Sequence, residues 1–492
     1  MKGSRGAGEQ GSKEGNPQSG DMPAEEFRHY GHQVVDWIAD YLANNHRLPV
    51  LAQVRPGYLK EALPESAPER GESFEQILAD VDRFIVPGVT HWNHPAFFAY
   101  FAISGSAPGI LGEMFAAAFN VNAMLWRSSP AATELEEVTI EWVRRLLGLP
   151  DGLRGVIYDT ASISTLCAIA AAREAIPGGN AREDGSPARL RLYASEHAHS
   201  SIEKAAITLG IGQNGVRKVA TDTEFRIAPD ALARAIAEDR AAGWLPFCAV
   251  ATVGTTSTSS IDPVPQIAEI CQREGLWLHV DAAYGGPAAI VPEYRWILEG
   301  SERADSLVVN PHKWLFVPVD LSILYCKRMD ILRQAFSLVP EYLRTSEQDE
   351  VHNFMDYGPQ LGRRFRALKL WFVLRYFGVE GIAARIRQHL ELAAKFARWV
   401  DEHPDFERTA PTPLSLVCFR AHPAGIPEAE LDRLNERLME AVNREGKIFL
   451  SHTKLNGRFT LRLAIGNIRT SREHTRLAWE QLTTTLAGLL AR

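Results

Sequence analysis

Phe27, Tyr30, Val34, Ile38 and Tyr41 recur at the spacing of one helical face. Asp21 and Pro23 stand where a cap and a first turn belong, so a helix is expected from about residue 22. Ser73 and Gln76 make a capping-box pattern ahead of Ile77, Leu78, Val81, Phe84 and Ile85, and Pro87-Gly88 stops that helix. Ser129-Pro130 opens a third, carrying Leu135, Val138, Trp142 and Leu146. Then the period changes. Short apolar runs at 155–158, 190–193, 216–219, 247–252, 276–280, 307–309 and 321–325 read as strands, with helical patterns between most of them. Such alternation predicts an α/β fold with a mostly parallel, doubly wound sheet. From about Leu368 long helices (368–377 and 381–403) come first. Two strands, 414–419 and 459–464, then flank another helix, and a closing helix follows. The expected division is a tail over 1–21, a helical segment over 22–106, a large domain over 107–367 and a small α+β domain over 368–492. The apolar stripes of the helical segment must pack on something, and a second subunit is one candidate.

Composition narrows the function classes. Of 492 residues, 46% are hydrophobic and 23% charged, the balance of an ordinary globular protein. With 53 basic and 60 acidic residues the net charge is −7, which gives no electrostatic case for nucleic acid. The first 21 residues are rich in Gly, Ser, Lys and Glu and lack the apolar core of a signal peptide, so they read as a disordered tail. No apolar run is long enough to span a membrane. Cys167, Cys248, Cys271, Cys326 and Cys418 are odd in number, widely spaced and mostly inside apolar runs. They point to buried thiols in a reducing, cytoplasmic setting rather than to a disulfide frame or a zinc site.

In doubly wound sheets ligands bind at the carboxyl ends of strands. Lys313 follows the run Leu307–Val309 through Asn310-Pro311-His312. A lysine just past a buried strand is costly to desolvate, shifts its pKa readily and can serve as an amine nucleophile. Asp281 ends the run 276–280 and precedes the small residues Ala282 and Ala283. Thr252 closes another run. His197-Ala198-His199 follows Tyr193, and Asp159-Thr160-Ala161-Ser162 opens a helix whose N–H groups and dipole suit a phosphate. Pyridoxal phosphate needs this set. Its phosphate wants a helix start, its ring nitrogen a carboxylate, its ring face a flat partner such as His199, and its aldehyde a lysine. Singly, each has a plainer reading: a snorkelling lysine, a loop-capping aspartate, an ordinary helix cap, a surface histidine. Their joint order, Ser162, His199, Thr252, Asp281, Lys313, is far more specific. A metal-hydrolase barrel built on His197-x-His199 would need further histidine ligands on later strands, and no later histidine follows a convincing one.

From about Phe27 to the C-terminus the chain resembles the aromatic-L-amino-acid decarboxylase family, pyridoxal-phosphate enzymes of group II. The matching stretches are Pro56-Gly57-Tyr58-Leu59, Pro87-Gly88-Val89-Thr90-His91-Trp92, Phe97-Phe98-Ala99-Tyr100-Phe101, Ala198-His199-Ser200-Ser201, His279-Val280-Asp281-Ala282-Ala283-Tyr284, Asn310-Pro311-His312-Lys313-Trp314 and Leu361-Gly362-Arg363-Arg364-Phe365-Arg366. The resemblance implies the aspartate-aminotransferase-like fold (fold type I) and an intimate homodimer with the active site at its interface. It implies that Lys313 forms the internal aldimine, Asp281 pairs with the ring nitrogen and His199 stacks on the ring. Ala161, Ser162 and Asn310 match phosphate-binding positions, with His312 beside them. Thr252 and Ala283 match cofactor-contacting positions. Tyr342 matches the family's loop tyrosine, the expected proton donor to the α-carbon, relayed through His199.

The departures lie at the substrate. Trp92, Tyr100 and Phe101 keep an aromatic wall, which favours a flat apolar side chain. The family's Pro-Thr after Tyr-Phe is Ala102-Ile103 here, and Ile103 has no hydroxyl to offer. Asn122 and Met124 stand where animal members carry isoleucine and phenylalanine, and Asn122 is a candidate for a polar ring substituent. The phosphate segment lacks the usual acidic residue after Ser162. The expected activity is decarboxylation of an L-amino acid, aromatic by first choice, to the amine and CO2. Decarboxylation of glutamate or another acidic amino acid is an alternative, with Arg127 the nearby cation. Others are oxidative aldehyde synthesis and a cofactor-binding protein without catalysis, against which the intact Lys313, Asp281, His199 and Tyr342 argue.

Overall fold

The computed structural model describes residues 20–187, 189–338 and 350–491. Tyr342 lies outside the described residues. The chain divides into two compact units, one taking in the residues up to Arg47 with Arg55–Gly88, the other Leu48–Val54 with everything from Val89.

The first unit is helical. Its opening helix, Ala24–Asn44, buries none of its own residues. Tyr30 Oη donates to Glu75 at 2.7 Å and Trp37 Nε1 to Asp82 at 2.8 Å, which ties that helix to the segment after Ser73. Ser73 caps the helix Phe74–Asp80 by accepting from the Gln76 N–H, as the capping-box pattern requires. Asp21 does not cap. Its carboxylate accepts from Met22, and Pro23 holds the position before the helix.

In the second unit all seven expected strands form, with ends moved by a residue or two. They are β1 (Arg154–Tyr158), β2 (Leu190–Ser195), β3 (Val216–Val219), β4 (Leu245–Thr252), β5 (Trp277–Asp281), β6 (Ser306–Val309) and β7 (Ser322–Cys326). The sheet order is β1-β7-β6-β5-β4-β2-β3, and β7 alone runs antiparallel to its neighbours. Both faces are covered, as a parallel sheet demands. Trp277 and Val250 face the helix Ala161–Glu174 through Cys167, Ala168 and Ala171, while Leu278 and Val280 face the opposite core with Leu232 and Ile267. The helix Pro130–Leu146 buries Ala132, Glu136, Thr139, Ile140 and Val143, leaving Val138 and Trp142 of the apolar stripe exposed.

The C-terminal part is a four-stranded antiparallel sheet, order β10-β11-β9-β8, from β8 (Phe406–Arg408), β9 (Leu416–Ala421), β10 (Ser451–Leu455) and β11 (Arg458–Ala464). The two long helices expected before it are one element, Arg366–Glu402, interrupted where Gly378 takes a φ of 63°. Ala96–Ala99 enter the core of this small sheet. Phe98 N–H donates to the Phe449 carbonyl at 3.0 Å, and Ala464 N–H donates to the Phe98 carbonyl at 2.9 Å. That anchoring carries Tyr100 and Phe101 to the carboxyl edge of the large sheet.

Candidate active site

Register puts Thr252 beside Asp281 on β4 and β5, and Val308 of β6 on the other flank of Asp281. The ends of β5 and β6 are stitched together: Ala282 N–H donates to the Val308 carbonyl at 3.0 Å and Asn310 N–H to the Ala283 carbonyl at 3.1 Å. Ala283 N–H in turn donates to Asp281 Oδ1 at 3.1 Å, fixing the carboxylate at the strand end. Pro311–Trp314 makes one helical turn and swings Lys313 back over this edge. The Lys313 Nζ lies 5.7 Å from the centre of the Phe101 ring. Burial pulls the Lys313 pKa below the ordinary lysine value, and the Asp281 charge opposes that pull. A larger fraction of free amine at neutral pH is what a carbonyl-capturing lysine needs.

His199 follows β2. Its Nδ1 accepts the Ser201 N–H at 3.1 Å and meets Ser201 Oγ at 2.9 Å, so the ring proton belongs on Nε2. Burial first, and the Lys313 charge second, lower its pKa. The helix Ala161–Glu174 begins after β1 with no side-chain cap from Thr160. Asp159 spends its carboxylate on Thr160 Oγ1 at 2.9 Å and Gln360 Nε2 at 3.1 Å. His312 is buried and held neutral, its pKa pushed down to about 3 mainly by desolvation. Its Nδ1 accepts the Leu321 N–H at 3.0 Å, and its Nε2 lies 3.4 Å from Asn310 Nδ2.

Two buried polar atoms at this edge, Thr252 Oγ1 and Asn310 Oδ1, have no hydrogen-bond partner among the described residues. Orphaned buried groups cost about 1–3 kcal/mol each. A polar ring seated against Asp281 would meet the Thr252 hydroxyl, which can donate to it, so the residues present fit pyridoxal phosphate.

Phe101 stacks on Tyr284 with centroids 3.6 Å apart, and Tyr284 on Trp314 at 4.9 Å, which builds a flat wall from the Lys313 turn outward. Trp92 stacks on Tyr100 at 5.7 Å, and Tyr100 is exposed with a φ of 52°. Ile103 is half-buried two residues beyond Phe101. Asn122 and Met124 are placed elsewhere. Asn122 Oδ1 accepts the Arg363 N–H at 2.9 Å, its Nδ2 donates to the Met124 sulfur at 3.3 Å, and Met124 packs on Leu125 and Met355. Among the described residues neither has a hydrogen bond or ring contact with the Lys313 cluster. Sequence reading also missed Arg462 on β11. It is buried, its guanidinium lies 5.4 Å from the Phe101 ring, and it donates to the carbonyls of Thr256 and Ser257 at 2.6 and 3.0 Å. Its signal was a charged residue amid the apolar run Phe459–Ala464. A cavity of about 780 Å³ opens at the opposite, amino-terminal edge of β4 and β5 between Arg240, Cys271 and Arg328, and contains none of these strand-end residues.

A family model described as the pyridoxal-dependent decarboxylase conserved domain matches residues 56–422. Tryptophan decarboxylase 2 of Oryza sativa subsp. japonica is 43% identical over 471 residues, covering 94% of each chain. Phenylacetaldehyde synthase of Arabidopsis thaliana is also 43% identical, over 472 residues, covering 93% of this chain and 95% of its own. A crystal structure of Oryza sativa TDC with PLP and tryptamine superposes with a TM-score of 0.92 at 37% identity, over 96% of this chain and 100% of that one.

Proposed function

The chain belongs to the pyridoxal-dependent decarboxylase family, and we propose that it removes the α-carboxylate of an aromatic L-amino acid to give the amine and CO2. It is a pyridoxal-phosphate-dependent amino-acid decarboxylase, a lyase. When bound, pyridoxal phosphate supplies an aldehyde that captures the substrate amine and a ring that accepts the electrons released with CO2. The residues do the rest. Lys313 would hold the cofactor by offering its amine to the aldehyde. Asp281 keeps a proton on the ring nitrogen by presenting a carboxylate to it. His199 lies on one ring face and keeps an Nε2–H to donate. Thr252 and Ala283 border the ring. Ala161, Ser162, Asn310 and His312 hold the phosphate at the helix start. Tyr342 delivers the proton to the α-carbon, with His199 as relay, a step of the kind worth about 10²–10⁴-fold.

Phe101, Trp92 and Tyr100 give the substrate an aromatic wall, and Ile103 adds an apolar edge. Asn122 and Met124 reach the substrate from the second subunit of a homodimer, consistent with their anchoring to the Arg363 and Met355 segments. The helical segment 22–106 packs on that subunit, in line with an opening helix that buries none of its own residues. Five buried, unpaired thiols suit a reducing cytoplasm. Among the described residues no helix is long and apolar enough to cross a membrane. Arg127 is exposed, and Arg462 spends donors on backbone carbonyls, which disfavours an acidic side chain.

The observation that carries this reading is the half-buried, desolvated Lys313 set against Asp281 at a strand edge, with Thr252 Oγ1 unpartnered there among the described residues. The test is a product screen across L-tryptophan, L-tyrosine, L-phenylalanine, DOPA, 5-hydroxytryptophan and L-glutamate. CO2 and amine in equal amounts from an aromatic substrate are expected. Turnover confined to glutamate would overturn the substrate class, and ammonia with peroxide would reveal an aldehyde synthase.

A further inference from the structure

Strand alternation puts Trp277, His279 and Asp281 on one face of β5, the face beneath the helix Ala161–Glu174. His279 is fully buried one layer below Asp281, flanked in register by Val250 and Ser306. Among the described residues its Nε2 has no hydrogen-bond partner. Its Nδ1 lies 2.9 Å from Ser306 Oγ, and that oxygen also accepts the Trp277 indole N–H at 2.8 Å. An indole only donates. Among the described residues Ser306 Oγ has no other partner, so its proton is satisfied only by pointing at Nδ1. That fixes the ring proton on Nε2. Desolvation keeps the ring neutral, with a pKa of about 4, against the upward pull of Asp281. The result is a buried N–H, oriented by Trp277 and Ser306, on the same face of β5 as the Asp281 side chain two residues on. Asp281 Oδ1 accepts from Ala283, which leaves carboxylate capacity for a second donor.

We propose that His279, oriented by Ser306 and Trp277, is a positioning residue for Asp281: its Nε2–H supports the carboxylate from below, directly or through one water, while the cofactor's ring nitrogen takes it from above. This rests on the reading that Asp281 pairs with that nitrogen. A donor to the ionised carboxylate stabilises that form and so holds the ring proton on nitrogen. It acts through Asp281 and touches neither substrate nor cofactor.

Two side chains separate this role from general packing. Glutamine places an amide N–H near the His Nε2 position, whereas asparagine reaches only to the Nδ1 position. The full chain is prepared with pyridoxal phosphate labelled with 15N in the ring. Two readouts are the cofactor dissociation constant by equilibrium dialysis and the ring-nitrogen resonance. His279→Asn is expected to weaken cofactor binding roughly tenfold and shift the resonance toward the unprotonated ring, the size of effect of one lost hydrogen bond to a charged group. His279→Gln is expected to stay within about threefold of wild type with an unshifted resonance. Equal behaviour of the two variants, whether both unchanged or both displaced, would overturn the proposal. If His279→Asn does not fold, Ser306→Ala decides instead. A weakened, shifted cofactor supports the role and an unchanged one refutes it. Asp281→Asn separates the two layers. If it leaves the resonance unmoved, the parent reading of Asp281 fails. If it moves the resonance while His279→Asn does not, only the role of His279 fails.

Discussion

Lysine is expensive to desolvate, and this chain does so at two sites in different ways, Lys369 fully buried and Lys313 half-buried. The Lys369 ammonium sits 3.0 Å from Glu113 Oε2 and has its pKa lowered to about 8, chiefly by desolvation. Lys313 has no ion pair among the described residues. Burial lowers its pKa, and the charge of Asp281 opposes that shift. Lys369→Met is therefore expected to keep full cofactor loading, with a stability change of about 2 kcal/mol or less, since the Glu113 it leaves behind is partly exposed and keeps its ion pair with Arg364. Loss of the bound cofactor's visible absorbance in that variant would contradict the assignment. Tyr342→Phe is expected to leave cofactor binding intact while products shift from amine toward aldehyde, read by ammonia and peroxide release; unchanged amine output would remove Tyr342 as proton donor. Lys313, Asp281, Thr252 and His199 were legible in sequence because each follows an apolar run that becomes a strand. The anchoring of Asn122 was not, because its carbonyl is committed to the Arg363 N–H, a partner 241 residues away that no local pattern shows. Arg462 was hidden for a related reason. Its neighbours on β11 read as an ordinary apolar strand, and only the fold brings Phe101 to its guanidinium.

Elements were read well where one period dominates. The parallel strands, buried on both faces, appear as unbroken apolar runs. Two strands of the small sheet escaped, β8 because it has three residues and β10 because its burial falls only at Ser451 and Leu455. The helix Pro130–Leu146 shows the limit of periodicity. Its inward face carries Glu136, whose carboxylate accepts from the Ile157 N–H at 2.9 Å and from Arg363 at 2.6 Å. Arg363 also donates to the carbonyls of Ile157 and Ala123 at 2.7 and 3.1 Å. The stretch Leu361–Arg366, matched as a motif, thus contributes a buried ionic joint between that helix, β1 and the Asn122 segment. Arg363→Ala leaves Glu136 buried without its partner and is expected to cost about 3–5 kcal/mol. A drop of several degrees in the melting temperature, partly recovered in a Glu136→Leu/Arg363→Met pair, would bear this out. An unchanged melting temperature in the alanine variant would contradict it.

For the whole molecule, buried histidines set the acid limit. Desolvation pushes His279 and His389 to about 4 and His312 to about 3. In the unfolded chain each takes up its proton near pH 6.5, about the ordinary value for the side chain. Between these limits the unfolded state binds more protons, so stability falls as pH drops from about 6.5 toward 4. Asp262, raised to about 7 by burial, works in the opposite direction over the same range. Three histidines against one aspartate predict a lower urea midpoint at pH 5 than at pH 7 with the cofactor saturating; an equal or higher midpoint at pH 5 would refute this balance. The central claim is that the carboxyl edge of the large sheet, through Lys313, is where pyridoxal phosphate is held for decarboxylation. Borohydride reduction of the loaded enzyme fixes the cofactor to the lysine that carries it, and peptide mass spectrometry locates it. The expected result is one pyridoxyl group per chain on the peptide containing Lys313, with labelling and CO2 release both lost in Lys313→Ala. A pyridoxyl group on Lys369 or any other lysine, or labelling that survives Lys313→Ala, would contradict it.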